Sequence, residues 1–280
     1  MTPVGKLPRA AGGETVTSRE NRWLKSFRAA LRSGVLAENG LVGVEGPRLV
    51  EEALRSGLAV EAVLVSASGE PHLERLRPWL EPSVRVLRTS DRLFAGVADT
   101  QTPQGVAALV RPRATTFDDL VRGLPLVVVL VGVQDPGNVG TIVRTAEAFG
   151  ATGAAACASG ECGTANPFAP KALRASAGSA LRLPILQGVS LPVLLAQLRV
   201  AGVRLYGATT ASGMAPQDAD LRGPAALLVG NEGAGLPQEV ERSADALLRI
   251  PMAAGIDSLN AAVAASVLLY EAARQRGVQQ

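Results

Sequence analysis

LVVVLVGVQDPGNVGTIVRTAEAFG, residues 126–150, decides the fold of this chain. Its first eight residues are a continuous apolar run, which is typical of a parallel strand buried on both faces. A Gly-rich turn follows, and apolar side chains then recur at helical spacing over about 139–150. Free amides at a helix N-terminus attract anions. The stretch therefore predicts a ligand-binding strand, turn and helix within a parallel α/β sheet.

Two polar residues of this stretch are candidate functional groups. Asn138 stands where the N-cap of the helix is expected. At ~100° per residue, Arg144 falls on the polar face, opposite a buried stripe that includes Val139 and Ile142. The alternative for Arg144 is an exposed side chain paired with Glu147, three residues further on.

A second motif, LLVGNEGAGLPQEV, spans residues 227–240. An apolar strand stops abruptly, and three glycines then surround Asn231 and Glu232. Glycine permits positive φ and a close approach of the backbone to a ligand. A plain turn needs one or two glycines, so the pattern favours a functional loop over a structural turn.

A third motif, RIPMAAGIDSLNAAVAASVLLYEAARQRG, spans residues 249–277. A strand ends at Ile250, a loop follows, and a helix over 258–275 is apolar nearly all round. Such a helix is buried in a core or at a subunit interface. Ser258 is the expected N-cap of this helix, and for Ser258 or Asn260 alone capping is the simplest interpretation.

Alternation of strands and helices predicts a parallel α/β domain over 125–280, preceded by a smaller α/β domain. The smaller domain is expected over 18–113, after a disordered tail at 1–17 and before a linker at 114–124. Its first helix is expected to begin at Ser18. Further strands are expected at 41–45, 60–66, 84–87, 105–110, 152–157, 203–208, 225–230 and 246–250. Further helices are expected near 47–56, 72–80 and 192–201.

Composition narrows the class of protein. Apolar residues make up 47% of the 280 residues and aromatic residues only 3%, which suits helices packed on buried parallel strands. Cys157, Cys162 and His72 are the only cysteines and histidine, and a tetrahedral zinc site usually needs four ligands, so we expect no metal. The sequence has no apolar run long enough to cross a membrane and no secretory signal, and we expect a cytoplasmic protein.

Charge is uneven along the chain. Residues 1–113 carry 16 Lys and Arg against 12 Asp and Glu, whereas residues 114–280 carry 12 against 13. Within residues 1–32 the ratio is seven to two. A basic N-terminal segment predicts a polyanionic partner such as nucleic acid, and the alternative is a solvated helix face.

The three motifs together resemble those of a known family. Their order and spacing are similar to the motifs of the SpoU/TrmH family, the 2′-O-ribose RNA methyltransferases of the SPOUT class. The residues that carry the likeness are Asn138, Arg144, Gly230, Asn231, Glu232, Gly233, Gly235, Ile250, Pro251, Met252, Ser258, Leu259 and Asn260. Residues 166–185 also resemble the family, as do TSRENRWLKSFR and VEGPRLVEEAL in the smaller domain. Ala261 and Ala262 depart from the Val and Ser common there.

This resemblance implies a fold and an activity. The catalytic domain would be a parallel α/β sheet with a deep C-terminal trefoil knot. The protein would be a homodimer whose subunits complete each other's sites. It would transfer a methyl group from S-adenosylmethionine to a ribose 2′-hydroxyl of structured RNA. An N-terminal substrate-binding domain favours ribosomal RNA ahead of transfer RNA.

The resemblance also implies roles for individual residues. The catalytic set would be Arg144, Asn138, Glu232, Ser258 and Asn260. The methyl donor would be bound by Thr209, Gly230, Asn231, Gly233, Ile250, Met252 and Leu259. RNA would be bound by Arg22, Lys25, Arg28 and Arg174. Because a guanidinium does not readily lose a proton, Arg144 is expected to hold a phosphate and to stabilise developing charge rather than to act as a base.

Two other classes stay open at this point. A nucleotide-binding Rossmann enzyme would share the strand, turn and helix at 126–150, although G-x-G-x-x-G is absent. A non-catalytic RNA-binding protein would share the basic N-terminal segment, although the motif residues Arg144, Asn231, Glu232 and Asn260 are all present.

Overall fold

The computed structural model describes residues 14–32 and 40–277. The chain divides into two compact units, with the boundary between Pro112 and Arg113. The stretch expected as a linker contributes to the second unit, because Leu120 is fully buried in the core of that unit.

The first unit contains a five-stranded mixed sheet in the order β1-β4-β3-β5-β2. Strand β3 is parallel to β4 and antiparallel to β5, which in turn is antiparallel to β2. Its strands are β1 (Glu14–Thr15), β2 (Val42–Glu45), β3 (Val60–Ser66), β4 (Arg85–Thr89) and β5 (Val106–Val110). Its helices are α1 (Arg22–Arg32), α2 (Pro47–Arg55), α3 (Glu70–Leu76) and α4 (Asp91–Ala95). Helix α1 buries Leu24, Phe27 and Leu31 in the core of this unit.

The beginning of this unit differs from expectation. Residues 1–13 of the expected tail lie outside the described residues, but Glu14 and Thr15 pair with β4 and Val16 is buried. This strand was not predicted, because two exposed polar residues carry no apolar alternation. Helix α1 begins at Arg22 rather than at Ser18, because the side chain of Asn21 accepts the backbone N–H of Trp23 at 2.8 Å.

The second unit contains a six-stranded sheet that is parallel throughout, in the order β11-β9-β10-β6-β7-β8. The expected parallel α/β domain is thus confirmed. Its strands are β6 (Leu126–Val131), β7 (Gly153–Cys157), β8 (Ile185–Gln187), β9 (Arg204–Ala208), β10 (Ala225–Val229) and β11 (Ala246–Leu248). Its helices are α5 (Phe117–Leu120), α6 (Pro136–Ala148), α7 (Pro170–Ser176), α8 (Ser179–Arg182), α9 (Leu191–Val200), α10 (Gln238–Ser243) and α11 (Ala261–Gln275).

Strand order brings the three motifs together. Strands β6 and β10 are neighbours, and both are buried along their whole length. Because carboxyl ends of parallel strands meet at one edge of a sheet, the Gly-rich loops after β6 and β10 lie side by side. Strand β11 pairs with β9 beside β10, so the loop that follows β11 reaches the same edge.

Helices α6 and α7 pack unusually close. A Cβ atom added to Gly140 would lie 2.3 Å from the carbonyl oxygen of Ala172 and 2.7 Å from the Cβ of Ala175. Real Cβ atoms essentially never come this near. Gly140 is therefore required for the contact that sets α7 beside the first motif.

The residue after α11 ties this helix to the start of the unit. The guanidinium of Arg276 donates to the carbonyl oxygens of Leu221 at 2.8 Å, Pro125 at 3.0 Å and Gly223 at 2.5 Å. A longer bond reaches Leu124 at 3.4 Å. Arg276 therefore satisfies carbonyls from the segment before β6 and the segment before β10.

We expect Arg276→Ala to destabilise the second unit by about 2–4 kcal/mol, because several partly buried carbonyls lose a charged donor. Chemical denaturation of the full chain measures this. Arg274→Ala is the matched control, since Arg274 is exposed and, among the described residues, its guanidinium pairs with Glu271 of the same helix. Equal stability of the two variants would contradict the prediction.

Candidate active site

A cavity of about 340 Å³ opens at this edge of the sheet, among the second and third motifs and the end of β9. Its size suits a small organic ligand. All seven residues expected to bind the methyl donor line it, together with two residues of the expected catalytic set. These nine residues are Thr209, Gly230, Asn231, Gly233, Ile250, Met252, Leu259, Glu232 and Ser258.

The loop after β10 is held in shape by Asn231. Its backbone exchanges two hydrogen bonds with Gly235, at 2.9 and 3.0 Å. Its side-chain oxygen accepts the N–H groups of Gly233 and Ala234, and its Nδ2 donates to the carbonyl of Gly132 at 2.9 Å. Asn231 thus closes its own loop and fastens it to the end of β6.

A chain of side-chain hydrogen bonds, here called the relay, links Asn260, Asn138 and Glu232 and so joins the three motifs. Asn260 Nδ2 donates to Asn138 Oδ1 at 3.1 Å, and Asn138 Nδ2 donates to Glu232 Oε1 at 2.9 Å. The Glu232 carboxylate also accepts the backbone N–H groups of Gln134 and Asp135, both at 3.1 Å. The relay fixes the side chains of Asn138, Glu232 and Asn260 relative to one another.

The environment of Glu232 keeps it charged. Partial burial raises the pKa of this carboxyl, but the hydrogen bonds from Asn138 and from the backbone of Gln134 and Asp135 outweigh it and hold the pKa below the ordinary value. A carboxylate with three donors is a weak base. Glu232 is therefore better suited to hold the first motif than to accept a proton.

The lowered pKa has a consequence for stability. Since the folded pKa lies below the unfolded one, the stabilisation is present above the unfolded pKa and is lost as pH falls through the folded pKa. We expect Glu232→Gln to unfold more easily than the wild type near neutral pH. That difference should shrink from about pH 6 to about pH 3.

Thermal melts of both proteins across this range measure the effect. Glu239→Gln is the control, because Glu239 is exposed on α10, outside the relay. If the difference in melting temperature between wild type and Glu232→Gln does not change with pH, then the charge on Glu232 does not stabilise the fold.

Two expected caps lie elsewhere. Helix α6 begins at Pro136 and its N-cap is Asp135, which accepts the N–H of Gly137 at 2.8 Å, so Asn138 is not the cap. Helix α11 begins at Ala261 and its N-cap is Asn260 rather than Ser258. Each true cap stands where its side-chain oxygen reaches the N–H two residues on. Ser258 instead lines the cavity.

Arg144 lies exposed on the polar face of α6, as the helical spacing predicts. The alternative pairing with Glu147 does not occur, because Glu147 forms a two-pronged ion pair with Arg182 at 2.7 Å. In the part of the chain that the structure describes, Arg144 has no hydrogen-bond or ion-pair partner. Its guanidinium is thus available to a ligand.

Two ionisable residues near the site were missed by sequence analysis. Lys171 Nζ lies 2.6 Å from Asp135 Oδ1, so α7 neutralises the N-cap of α6. Glu241 lines the cavity and accepts the hydroxyl of Thr209 at 3.1 Å. Lys171 lies inside the segment 166–185, whose likeness to the family could have pointed to it as a functional residue. Glu241 carries none, because only the tertiary fold brings α10 to β9.

The residues expected to bind RNA lie in different settings. Lys25 pairs with Glu20 at 2.7 Å, and Arg22 stacks on Trp23. Arg28 donates to the carbonyl of Gly96, which follows α4. Arg174 is exposed on α7, one turn after Lys171.

Arg32 shares the role of Arg28. It donates to the carbonyls of Ala95 and Ala98. The last carbonyls of a helix lack intrahelical partners. Two cations of α1 therefore cap α4, which fixes the position of both guanidiniums in the first unit.

The cavity fits a methyl donor that carries an adenosine. Its walls include the apolar side chains of Leu236, Ile250 and Leu268, which suit a heterocycle, and the backbone of the Gly-rich loop after β10. Glu232 and Glu241 also line it, and their negative charge complements the positive charge of a sulfonium. Among residues 14–32 and 40–277, no three His, Cys, Asp or Glu side chains are placed to share a metal ion.

Comparisons with known families agree with this division of the chain. Residues 125–270 match the SpoU rRNA Methylase family. Residues 37–108 match the MRM3-like substrate binding domain. The two matches fall on the two compact units.

Individual relatives cover nearly the whole chain. The chain is 32% identical to the 23S rRNA (guanosine(2553)-2′-O)-methyltransferase RlmP of Bacillus subtilis, over 91% of this chain and 97% of the relative. It is 32% identical to the 23S rRNA (guanosine-2′-O-)-methyltransferase RlmB of Xanthomonas campestris, over 92% and 98%. The AdoMet-bound rRNA methyltransferase of Sinorhizobium meliloti has a similar structure, with a TM-score of 0.82, 31% identity, and coverage of 95% of this chain and 99% of that chain.

Proposed function

This chain belongs to the SpoU rRNA methylase family, and from that we propose that it methylates a ribose 2′-hydroxyl of structured RNA, ribosomal RNA ahead of transfer RNA. The methyl donor is S-adenosylmethionine. The observation that carries the proposal is the meeting of the second and third motifs at one cavity. The first motif is hydrogen-bonded to the cavity residue Glu232 through Asn138, and it carries an arginine whose guanidinium is available to a ligand. Both named relatives described above act on 23S ribosomal RNA.

The donor supplies an already activated methyl group, so the protein has to position a hydroxyl and stabilise charge. The loops after β10 and β11 hold the donor through Gly230, Ile250 and Leu259. The relay of Asn138, Glu232 and Asn260 orients the ribose and the start of α6. As the 2′-hydroxyl loses its proton to water, the guanidinium of Arg144 stabilises the negative charge on the oxygen and holds the neighbouring phosphate. The hydrogen bonds that lower the pKa of Glu232 make its carboxylate a weaker base, and we therefore assign Glu232 to positioning rather than to proton transfer.

The first unit is the substrate-binding domain. Its match to the MRM3-like substrate binding domain supports this role. Arg22 and Lys25 are exposed on α1 and remain its candidate phosphate contacts. Arg28 contributes to the unit's stability through α4 and is at most a secondary contact. In the second unit, Arg174 is exposed on α7 one turn after Lys171 and is a further candidate phosphate contact.

Threading of α11 through a trefoil knot stays a prediction. It is supported by the contacts of α11 with α6 and β10. It is further supported by the segment 250–259, which leads into α11 past the loop after β10 and lines the same cavity. Family membership points the same way.

The described residues contain no helix long and apolar enough to cross a membrane. We propose the cytoplasm as the location, because the ribosomal RNA of bacterial relatives is there.

A homodimer is part of the proposal. Helix α11 exposes Val263, Val267 and Tyr270, spaced as one stripe, and the ring of Tyr270 packs edge-on against Phe149 after α6. An apolar stripe of this kind on a small domain favours a covered interface.

Sedimentation of the protein should give about twice the 28.8 kDa chain mass. Val263→Glu should give monomers, because it puts a charge into the stripe. Val200→Glu is the matched control, since Val200 is 91% exposed on α9. A monomeric wild type that is fully active would contradict a site shared between subunits.

The function itself is tested on RNA. Ribose 2′-O-methyl positions are mapped in ribosomal and transfer RNA from cells with and without the gene, and the purified protein is then assayed on the unmodified RNA with tritiated donor. We expect one ribosomal position to lose its methyl group and the protein to restore it. Donor binding with no transfer to any RNA would favour a non-catalytic RNA-binding protein. Tight NAD binding would favour a Rossmann enzyme.

A further inference from the structure

Both tryptophans of the chain lie in the first unit, and each has a guanidinium stacked on its ring. Aromatic residues make up only 3% of the chain, so this pairing of both with arginine is notable. The two rings nevertheless differ in what the unit itself already does with them.

Trp23 is occupied by its own unit. Two guanidiniums, those of Arg22 and Arg85, lie 5.3 and 5.4 Å from its ring centre. Arg85 also pairs with Glu14 in β1. Trp23 is partly buried against the core of the first unit, and its Nε1 is a buried atom without a hydrogen-bond partner among the described residues. This side chain packs α1 against β4.

Trp79 is presented to solvent. It ends the short turn that follows α3, and 44% of its surface is exposed. The guanidinium of Arg55 at the end of α2 lies 5.0 Å from its ring centre. Burying such a ring stabilises a protein more than burying most other side chains does, and here nearly half of it faces solvent, where a partner can reach it.

Charged groups hold this arginine in place and leave the surface positive. Glu51, one turn before Arg55 in α2, lies 3.6 Å from Arg55 and 3.5 Å from Arg75 in α3. Two guanidiniums therefore share one carboxylate. The cluster of Trp79, Arg55, Glu51 and Arg75 combines an exposed aromatic plane with a net positive charge.

We propose that this cluster is a stacking platform for an unpaired base of the RNA substrate. Aromatic rings and guanidinium planes are the groups on which proteins stack splayed-out bases, and the excess cation attracts the phosphates on either side. The platform rests on the proposed function, because that function makes RNA the partner. It assigns to the substrate-binding domain a preference for a loop, bulge or end over a continuous duplex.

Fluorescence separates the two tryptophans. Trp23→Phe leaves Trp79 as the sole tryptophan, and Trp79→Phe leaves Trp23. The probe is a single-stranded oligoadenylate of twelve residues, with the same strand paired to oligouridylate as the duplex control. We expect saturable quenching of Trp79 by the single strand, much weaker quenching by the duplex, and little change at Trp23. Equal quenching by both forms, or none at Trp79, would overturn the platform.

Kinetics on unmodified 23S rRNA give a second measurement. Trp79→Leu should raise KM for RNA about tenfold, the size expected for one lost base stack, while kcat and donor affinity stay unchanged. Trp79→Phe should retain most of the affinity, since it keeps an aromatic plane, and thermal melts confirm that both variants fold. A normal KM in Trp79→Leu would contradict the stacking platform but not the proposed function. A wild-type protein that methylates no RNA would contradict the proposed function.

Discussion

Arg144→Ala should lower kcat for methyl transfer by about a thousandfold while leaving the affinity for S-adenosylmethionine nearly unchanged. The expected size is that of losing a group that stabilises charge in the transition state, roughly 3–4 kcal/mol. Donor affinity should persist because Arg144 does not line the cavity. Calorimetric titration of the donor and tritium transfer to RNA measure the two effects separately.

Arg144→Lys distinguishes the two parts of the role. A lysine keeps the charge but not the planar pair of donors that holds a phosphate. We expect it to recover only a small part of the lost rate. Arg222→Ala is the matched control, since Arg222 is an exposed arginine paired with Asp220 in the same unit. Turnover close to wild type in Arg144→Ala would remove Arg144 from the mechanism.

Gly230→Ala should weaken binding of the methyl donor about a hundredfold. An added Cβ would lie 2.3 Å from the carbonyl carbon of Gly235 and 2.4 Å from the backbone nitrogen of Leu236. Backbone on the far side of a closed loop cannot yield as a flexible side chain does. We expect a loss of about 3 kcal/mol, or roughly a hundredfold in affinity, at the upper end of overpacking effects.

Gly233→Ala in the same loop is the informative comparison. A Cβ there meets only Asn231 Oδ1, at 3.6 Å, which is an ordinary contact. Circular dichroism shows whether both variants fold, and calorimetry gives donor affinity. If Gly230→Ala binds the donor as tightly as Gly233→Ala, then the shape of this loop does not set the donor site.

Much of the fold could be predicted because the decisive strands are long apolar runs. Strands β6 and β10 read as buried parallel strands, and each leads directly into a glycine-rich motif. Strand β8 was not predicted, because three residues at the sheet edge carry too little pattern. The pairing of Glu14 and Thr15 was missed for the same reason.

The residues of the site could be chosen, but their partners could not. Asn138 and Ser258 both fit an N-cap on local spacing, and the true caps are Asp135 and Asn260. Local spacing cannot decide which of two nearby polar residues caps a helix, because the decision depends on what else each side chain binds. Asn138 binds Glu232, which lies 94 residues further along the chain. Charge counting likewise could not show that Arg28 donates to the carbonyl that follows α4 in its own unit.

The tie made by Arg276 has a consequence for how the protein is made on the ribosome. The second unit is completed only when α11 and Arg276 reach the carbonyls before β6 and β10. Those residues are synthesised about 150 positions after Pro125. Domains fold as units and N-terminal ones first during synthesis. The substrate-binding domain should therefore be folded on the nascent chain while the catalytic unit still waits for its last helix.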